Sequence, residues 1–168
     1  QEAGEKFDVI TLWHVLEHLP NPDAVLKNLL ALLKDDGLLF VAVPNLASWE
    51  FKTGGQYWFH LDLPRHLVHF RPEGLEKLSR RLGLKIKRLD YDAWIYNVFG
   101  LYQTWLNQIT RTRNASYNWL KRRQSSALGA MVFSVLLTPI ILPAAVAACW
   151  VLGPRGRTGT MEAYLSKN

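Results

Sequence analysis

The stretch Phe7–Asn45, FDVITLWHVLEHLPNPDAVLKNLLALLKDDGLLFVAVPN, decides the fold. Phe7–Trp13 is a short β-rich apolar run bounded by polar residues, which predicts a buried strand. Pro20, Asn21, Pro22 and Asp23 together suit a turn and a helix start. Ala24, Leu26, Leu29, Leu30 and Leu33 then recur at helical spacing, with Lys27 and Lys34 outside. Asp35-Asp36-Gly37 is expected to end that helix, the glycine taking a left-handed conformation. Leu38–Val43 is nearly all apolar, as a parallel strand covered on both faces requires. The sum is one parallel βαβ unit, with the polar turn Trp13–His18 at the carboxyl end of its first strand.

Further along, Ala47–Phe70 is a long connection rich in aromatics and histidine. Pro72 starts a second helix, followed by GLEKLSRRLGL, with Gly83 as its stop. Leu84–Tyr91 alternates apolar and charged residues, so it predicts a strand with one polar face. Thr158–Leu165 is a candidate last strand, preceded by the glycine-rich turn GPRGRTG.

The 168 residues suffice for one domain plus an appendage. A single cysteine, Cys149, rules out an internal disulfide framework and fits a reducing compartment. Its apolar surroundings read as a buried, inert thiol. The polar opening QEAGEK shows neither a signal-peptide pattern nor an initiator Met, and reads as part of a longer chain. The net charge of +6 is unevenly placed. No acidic residue lies between Asp92 and Glu162, whereas Arg111, Arg113, Lys121, Arg122, Arg123, Arg155 and Arg157 do. The basicity thus belongs to one segment. It flanks an apolar run rather than forming a groove-sized patch, which argues against a nucleic-acid partner.

Gln124–Pro154 contains no charge. Its middle, AMVFSVLLTPIILPAAVAACWVL, is long enough for a bilayer core, which takes about 20 apolar residues. If the two strands flanking this insertion pair in one sheet, both its ends must lie on one side of a membrane. A re-entrant hairpin bent at Pro139–Pro143 meets that condition. Basic residues at both ends fit the cytoplasmic side, and a bacterial inner membrane is the expected location. Trp94–Ile109 mixes aromatics with Asn and Gln, closer to an interfacial helix than a span. The alternative is a soluble helical hairpin capping the domain or forming an oligomer interface.

FDVI…VLEHLPNP, GLLFVAVPN and WFHLDLPRHLVHF together resemble class I S-adenosylmethionine (SAM) dependent methyltransferases, in particular the bacterial group that includes ubiquinone-type O-methyltransferases. The resemblance covers residues 5–92 and the end of the chain. It implies an α/β fold: a partial Rossmann-like methyltransferase sheet, strands four to seven with their helices, plus a hydrophobic helical insertion between the last two strands. The expected division is residues 1–92 with 156–168 for the methyltransferase part, and 93–155 for the insertion. The family's glycine-rich loop and its ribose-binding acidic residue have no counterpart in these residues. Only part of the SAM pocket is therefore expected here, with weak cofactor binding and no activity in isolation.

The resemblance places Leu12, Trp13 and His14 beside the cofactor, since ligands of doubly wound sheets sit at the carboxyl ends of strands. His14 is a candidate base; a turn histidine without a role is the alternative. Spacing i, i+3, i+4 puts His14, Glu17 and His18 on one face. In some relatives an acidic residue and such a Glu-His pair bind a divalent metal. Local hydrogen bonding is the plainer reading, and no metal ligand is assigned. In the aromatic segment, Asp62 could orient His66 as a base, and Arg65 could clamp a phosphate or carboxylate. Equally, Asp62 and Arg65 could simply pair. His60 and His69 are weaker candidates, and Trp58 could wall an acceptor pocket or pack the lid.

Two functions follow. The first is a membrane-associated SAM-dependent methyltransferase acting on a small-molecule, lipid, prenyl-lipid or lipid-linked glycan acceptor. The second is a degenerate, non-catalytic methyltransferase fold serving as a membrane adaptor.

Overall fold

A computed structural model describes residues 6–121 and 128–168. Residues 124–127 of the expected insertion, and Arg122 and Arg123 of its basic flank, lie outside the described residues. The chain divides into two compact units, Gln1–Leu46 with Leu63–Asp90 and Thr160–Asn168, and Ala47–Asp62 with Tyr91–Gly159. Ala47–Asp62, grouped with the sheet on sequence, thus belongs to the second unit.

The first unit is a four-stranded sheet with helices. Its strands are β1 (Phe7–Trp13), β2 (Leu33–Pro44), β3 (Leu84–Asp90) and β4 (Thr160–Lys167), in the order β1-β2-β4-β3. β1 and β2 run parallel, and β4 is antiparallel to both β2 and β3. The carboxyl ends of β1 and β2 therefore share one edge of the sheet, where ligands bind in open α/β sheets. Leu39, Val41, Met161, Ala163 and Leu165 form the buried centre.

Helix α1 (Pro22–Leu32) starts as its sequence predicts: Asn21 Oδ1 accepts the Ala24 N–H at 3.1 Å, with Pro at the first turn. Its end differs from expectation. The helix stops at Leu32, and Gly37 is not left-handed. Leu33 instead enters β2 opposite Phe7, fully buried, and Lys34–Gly37 bulges before the register resumes at Val9↔Leu38. Lys34 Nζ donates to Asp8 at 2.7 Å and Lys167 Nζ to Asp35 at 3.0 Å, which holds the bulge extended. The strand prediction for Phe7–Trp13 holds, but its burial does not. β1 has β2 as its sole partner among the described residues, and Phe7, Val9 and Trp13 are about half exposed. Helix α3 (Pro72–Arg81) ends as expected, with Gly83 at φ +72.

The second unit is helical: α2 (Trp49–Gly54), α4 (Trp94–Thr110), α5 (Ala115–Leu120) and α6 (Leu128–Leu152). The expected hairpin turn at Pro139–Pro143 is not formed; α6 is one continuous helix through both prolines. Packing explains this. Val98 and Leu101 of α4 form a buried cluster with Ala145 and Cys149, and Tyr102 OH meets Thr138 Oγ1 at 2.8 Å. Trp94 also meets Trp150, at 6.3 Å between ring centroids, so α4 and α6 run antiparallel. The hairpin thus lies between two helices rather than inside one. Helix α4 buries its polar residues and leaves Trp94, Ile95, Tyr96 and Ile109 exposed. Gln103 Nε2 donates to Asn107 Oδ1, whose Nδ2 donates to the Tyr57 carbonyl and to Asn114 Oδ1, at 2.9–3.0 Å.

Candidate functional site

The turn after β1 is built by its backbone. The His14 N–H donates to the Ala42 carbonyl of β2 at 3.0 Å, so the chain stays attached to the sheet one residue past the strand. His14 then takes φ +49 and redirects the chain into a 3-10 turn, Leu16–His18. Leu16 and Glu17 are completely buried. Trp13 lies against Phe40 with ring centroids 4.4 Å apart, its outer part exposed at the open side of β1. Leu12, Trp13 and His14 thus occupy the carboxyl edge where sequence placed them.

The segment Leu67–Val68 is fastened under this turn, both N–H groups donating to the Glu17 carbonyl at 2.8 and 3.1 Å. That brings together side chains far apart in sequence. His14 Nδ1 is 3.1 Å from Glu17 Oε1, and His66 Nε2 is 4.0 Å from the same oxygen. His18 Nδ1 donates to the Arg65 carbonyl at 3.0 Å and its ring meets His66 edge-on, 4.7 Å between centroids. Glu17 Oε2 is buried without a hydrogen-bond partner. Buried carboxylate oxygens are ordinarily met by a donor or a cation. Glu17, His18 and His66 are therefore a donor set that could hold a metal ion.

The remaining predicted residues divide between the units. Arg65 is exposed in the first, its carbonyl used by His18. Asp62 belongs to the second unit, left-handed at φ +34 after a 3-10 turn. Trp58, also in the second, is almost wholly buried between Phe51 and His60.

Sequence reasoning missed Glu50. It is fully buried in the second unit, with Oε1 accepting the Gly159 N–H at 2.9 Å and the Trp58 indole as a further donor. Burial pushes its carboxyl up to about 8, against those two hydrogen bonds. Gly159 and Gly100 make room for it: a Cβ on Gly159 would collide with the Glu50 carboxylate, and one on Gly100 with the His60 ring. The only sequence hint is a glutamate set between two aromatics in Trp49-Glu50-Phe51.

The fold and this edge agree with what the chain resembles. A methyltransferase-domain family model matches residues 1–89, and the chain belongs to that family. Among curated relatives, the ubiquinone biosynthesis O-methyltransferase of Xanthomonas axonopodis pv. citri is 30% identical over 128 residues, covering 71% of this chain and 49% of the relative. The protein of that name from Glaesserella parasuis serovar 5 is 54% identical over 76 residues, covering 45% of this chain and 30% of the relative. The chain thus spans about half the length, or less, of the curated relatives it matches. Among solved structures, the cyclopropane synthase MmaA2 of Mycobacterium tuberculosis superposes with a TM-score of 0.53 at 12% identity, over 97% of this chain and 56% of that one. The mycolic acid cyclopropane synthase CmaA1, solved with SAH and CTAB, gives 0.50 at 13% identity, over 99% of this chain and 57% of that one. These likenesses establish the fold.

Proposed function

We propose that this chain forms part of a SAM-dependent methyltransferase that works at a membrane surface. The observation that carries the reading is the turn Trp13–His18, pinned to the carboxyl edge of the β1–β2 pair within a chain of the methyltransferase-domain family. The ubiquinone biosynthesis O-methyltransferase relatives support transfer to an oxygen of a small molecule.

SAM, when bound, supplies a methyl group on a sulfonium, open to in-line displacement. The protein's part is then to position the reactants and exclude water. Leu12 and Trp13 offer an apolar ledge, and His14 is the first residue past the strand end, in a left-handed turn. His14 is the proton acceptor for the attacking hydroxyl, with Glu17 Oε1 holding its ring through Nδ1. Arg65, in the same unit as His14, is the candidate for the acceptor side.

The acceptor class rests on α6. Its 25 residues extend about 37 Å at 1.5 Å per residue, and most of its surface is open, with Leu136, Ile140 and Trp150 about 70% exposed. Arg111, Arg113 and Lys121 follow α4, and Arg155 and Arg157 follow α6. Apolar surface with cations at each end fits insertion into the boundary of an anionic leaflet, and excess Lys and Arg favour the cytoplasmic face. A lipid, prenyl-lipid or lipid-linked glycan acceptor then lies within the enzyme's reach.

The test is calorimetric binding of SAM and SAH to the full-length protein, together with a Trp13→Ala variant. The reading expects binding by the wild type, weakened in the variant. A folded full-length protein that binds neither ligand would favour the adaptor function and overturn the enzyme.

A further inference from the structure

We propose that α6 lies along the plane of one anionic leaflet, with the basic residues at its two ends on the same side of the membrane, rather than crossing the bilayer. It rests on the membrane-surface reading and adds the orientation. Length does not choose between the two, because 25 apolar residues also suffice to cross a hydrocarbon core of about 30 Å.

The way α6 is held does choose. Ser134, Ile141, Ala145 and Cys149 are buried, and Thr138 on the same stripe meets the Tyr102 hydroxyl at 2.8 Å. Val132, Leu136, Ile140, Pro143, Ala147 and Trp150 are all exposed. At roughly 100° per residue those six fall within about 80° of one another, on the side of the helix opposite the buried stripe. One side is therefore braced by protein along the carboxyl-terminal half of α6, from Tyr102 beside Thr138 to Trp94 beside Trp150. The bracing helix cannot follow α6 into hydrocarbon. The Phe59 N–H donates to Thr104 Oγ1 at 3.0 Å, Asn107 Nδ2 to the Tyr57 carbonyl at 3.0 Å, and Gln108 Nε2 to the Thr53 carbonyl at 2.8 Å. These bonds tie α4 to an irregular connection that carries the exposed Lys52. Irregular backbone and a lysine facing lipid are what a bilayer core excludes.

The charges agree. Arg111 and Arg113 follow α4, which runs antiparallel to α6, so they lie towards the amino-terminal end of α6. Arg155 and Arg157 follow its carboxyl end, and all four are exposed. The two pairs are thus separated by about the helix length, roughly 37 Å. A crossing helix would place one pair on the outer surface, against the cytoplasmic preference of Lys and Arg. A helix lying flat puts both pairs among the headgroups of one leaflet, and no acidic residue between Asp92 and Glu162 opposes them. Trp94 and Trp150, both exposed, then sit at the depth that tryptophan favours.

The test places an environment-sensitive fluorophore on single cysteines replacing Val132, Ile140 or Trp150 in the full-length protein, its native cysteines changed to serine. The protein is added to sealed vesicles of phosphatidylcholine with phosphatidylglycerol, and quenching by shallow and deep nitroxide lipids is compared. All three positions should be quenched more by the shallow label. Arg113→Cys and Arg155→Cys should both react with an impermeant maleimide added outside. Arg111→Glu with Arg113→Glu, and Arg155→Glu with Arg157→Glu, should each weaken vesicle binding by at least about tenfold, with thermal unfolding as the check on folding. Stronger quenching of Ile140 by the deep label, reaction at only one of the two cysteines, or dependence on only one arginine pair would overturn the orientation while leaving the membrane-surface reading intact. Absence of vesicle binding, or dimerisation through α6 that prevents it, would overturn both. None of these readouts depends on turnover, so methyl transfer is judged separately by SAM binding and activity.

Discussion

Glu50 Oε1 accepts the backbone N–H of Gly159 at 2.9 Å, joining residues 109 positions apart inside the helical unit. The carboxyl is wholly buried and is pushed up to about 8 by that burial. Its proton is therefore held more tightly in the folded than in the unfolded chain. The sign follows: the stabilisation is complete below the ordinary carboxyl range and is lost as pH rises from about 4.5 through about 8. Unfolding free energy should fall across that window with a slope approaching about 1.4 kcal/mol per pH unit. Glu50→Gln keeps an oxygen for the Gly159 N–H and should flatten the slope. Urea titrations of both proteins at several pH values check this.

Gly159→Ala should destabilise the protein by about 2 kcal/mol, because the new methyl group collides with the Glu50 carboxylate, which has little room to retreat. Thermal unfolding of the variant gives the number.

Leu101 is completely buried against Ala145 and Cys149, where α4 braces α6 across its prolines. Leu101→Ala should cost about 3 kcal/mol. Hydrogen exchange should show the loss of protection concentrated in α4 and α6.

The open face of α6 can be tested without disturbing its packed side. Leu136→Asp with Ile140→Asp alters two of the most exposed side chains. Binding to vesicles of phosphatidylcholine with phosphatidylglycerol should fall by at least about tenfold, with thermal stability unchanged. Wild-type binding should weaken as salt rises, since the flanking cations contribute through a screened attraction.

Much of the first unit was legible because its signals are local. Asn21-Pro22 starts α1, Pro72 and Gly83 bound α3, the alternating stretch Leu84–Tyr91 became β3, and the candidate last strand after the glycine-rich turn became β4. What escaped depends on distant neighbours. Leu33 fits the helical period, yet its pairing with Phe7 draws it into β2. Phe7, Val9 and Trp13 read as core, but an edge strand leaves them open. Nothing local shows that Gln103 and Asn107 are buried and hydrogen-bonded to each other. The candidate site divides the same way. Leu12–His14 follow directly from a strand end, but nothing local announces that His66 meets Glu17, or that Glu50 is buried against Gly159.

His14→Ala in the full-length protein should lower kcat for methyl transfer by roughly 100-fold, with SAM affinity little changed, if His14 accepts the proton. Equal losses in affinity and turnover would place it in cofactor binding instead.

The central claim is methyl transfer to a membrane-borne acceptor. Its most direct test incubates the full-length protein with methyl-labelled SAM and bacterial inner-membrane lipid extract, then separates the organic phase. The account predicts protein-dependent label in a lipid-phase product, diminished by His14→Ala. A folded, SAM-binding protein that labels no lipid-phase molecule, while methylating water-soluble acceptors equally well with Leu136→Asp and Ile140→Asp in place, would contradict it.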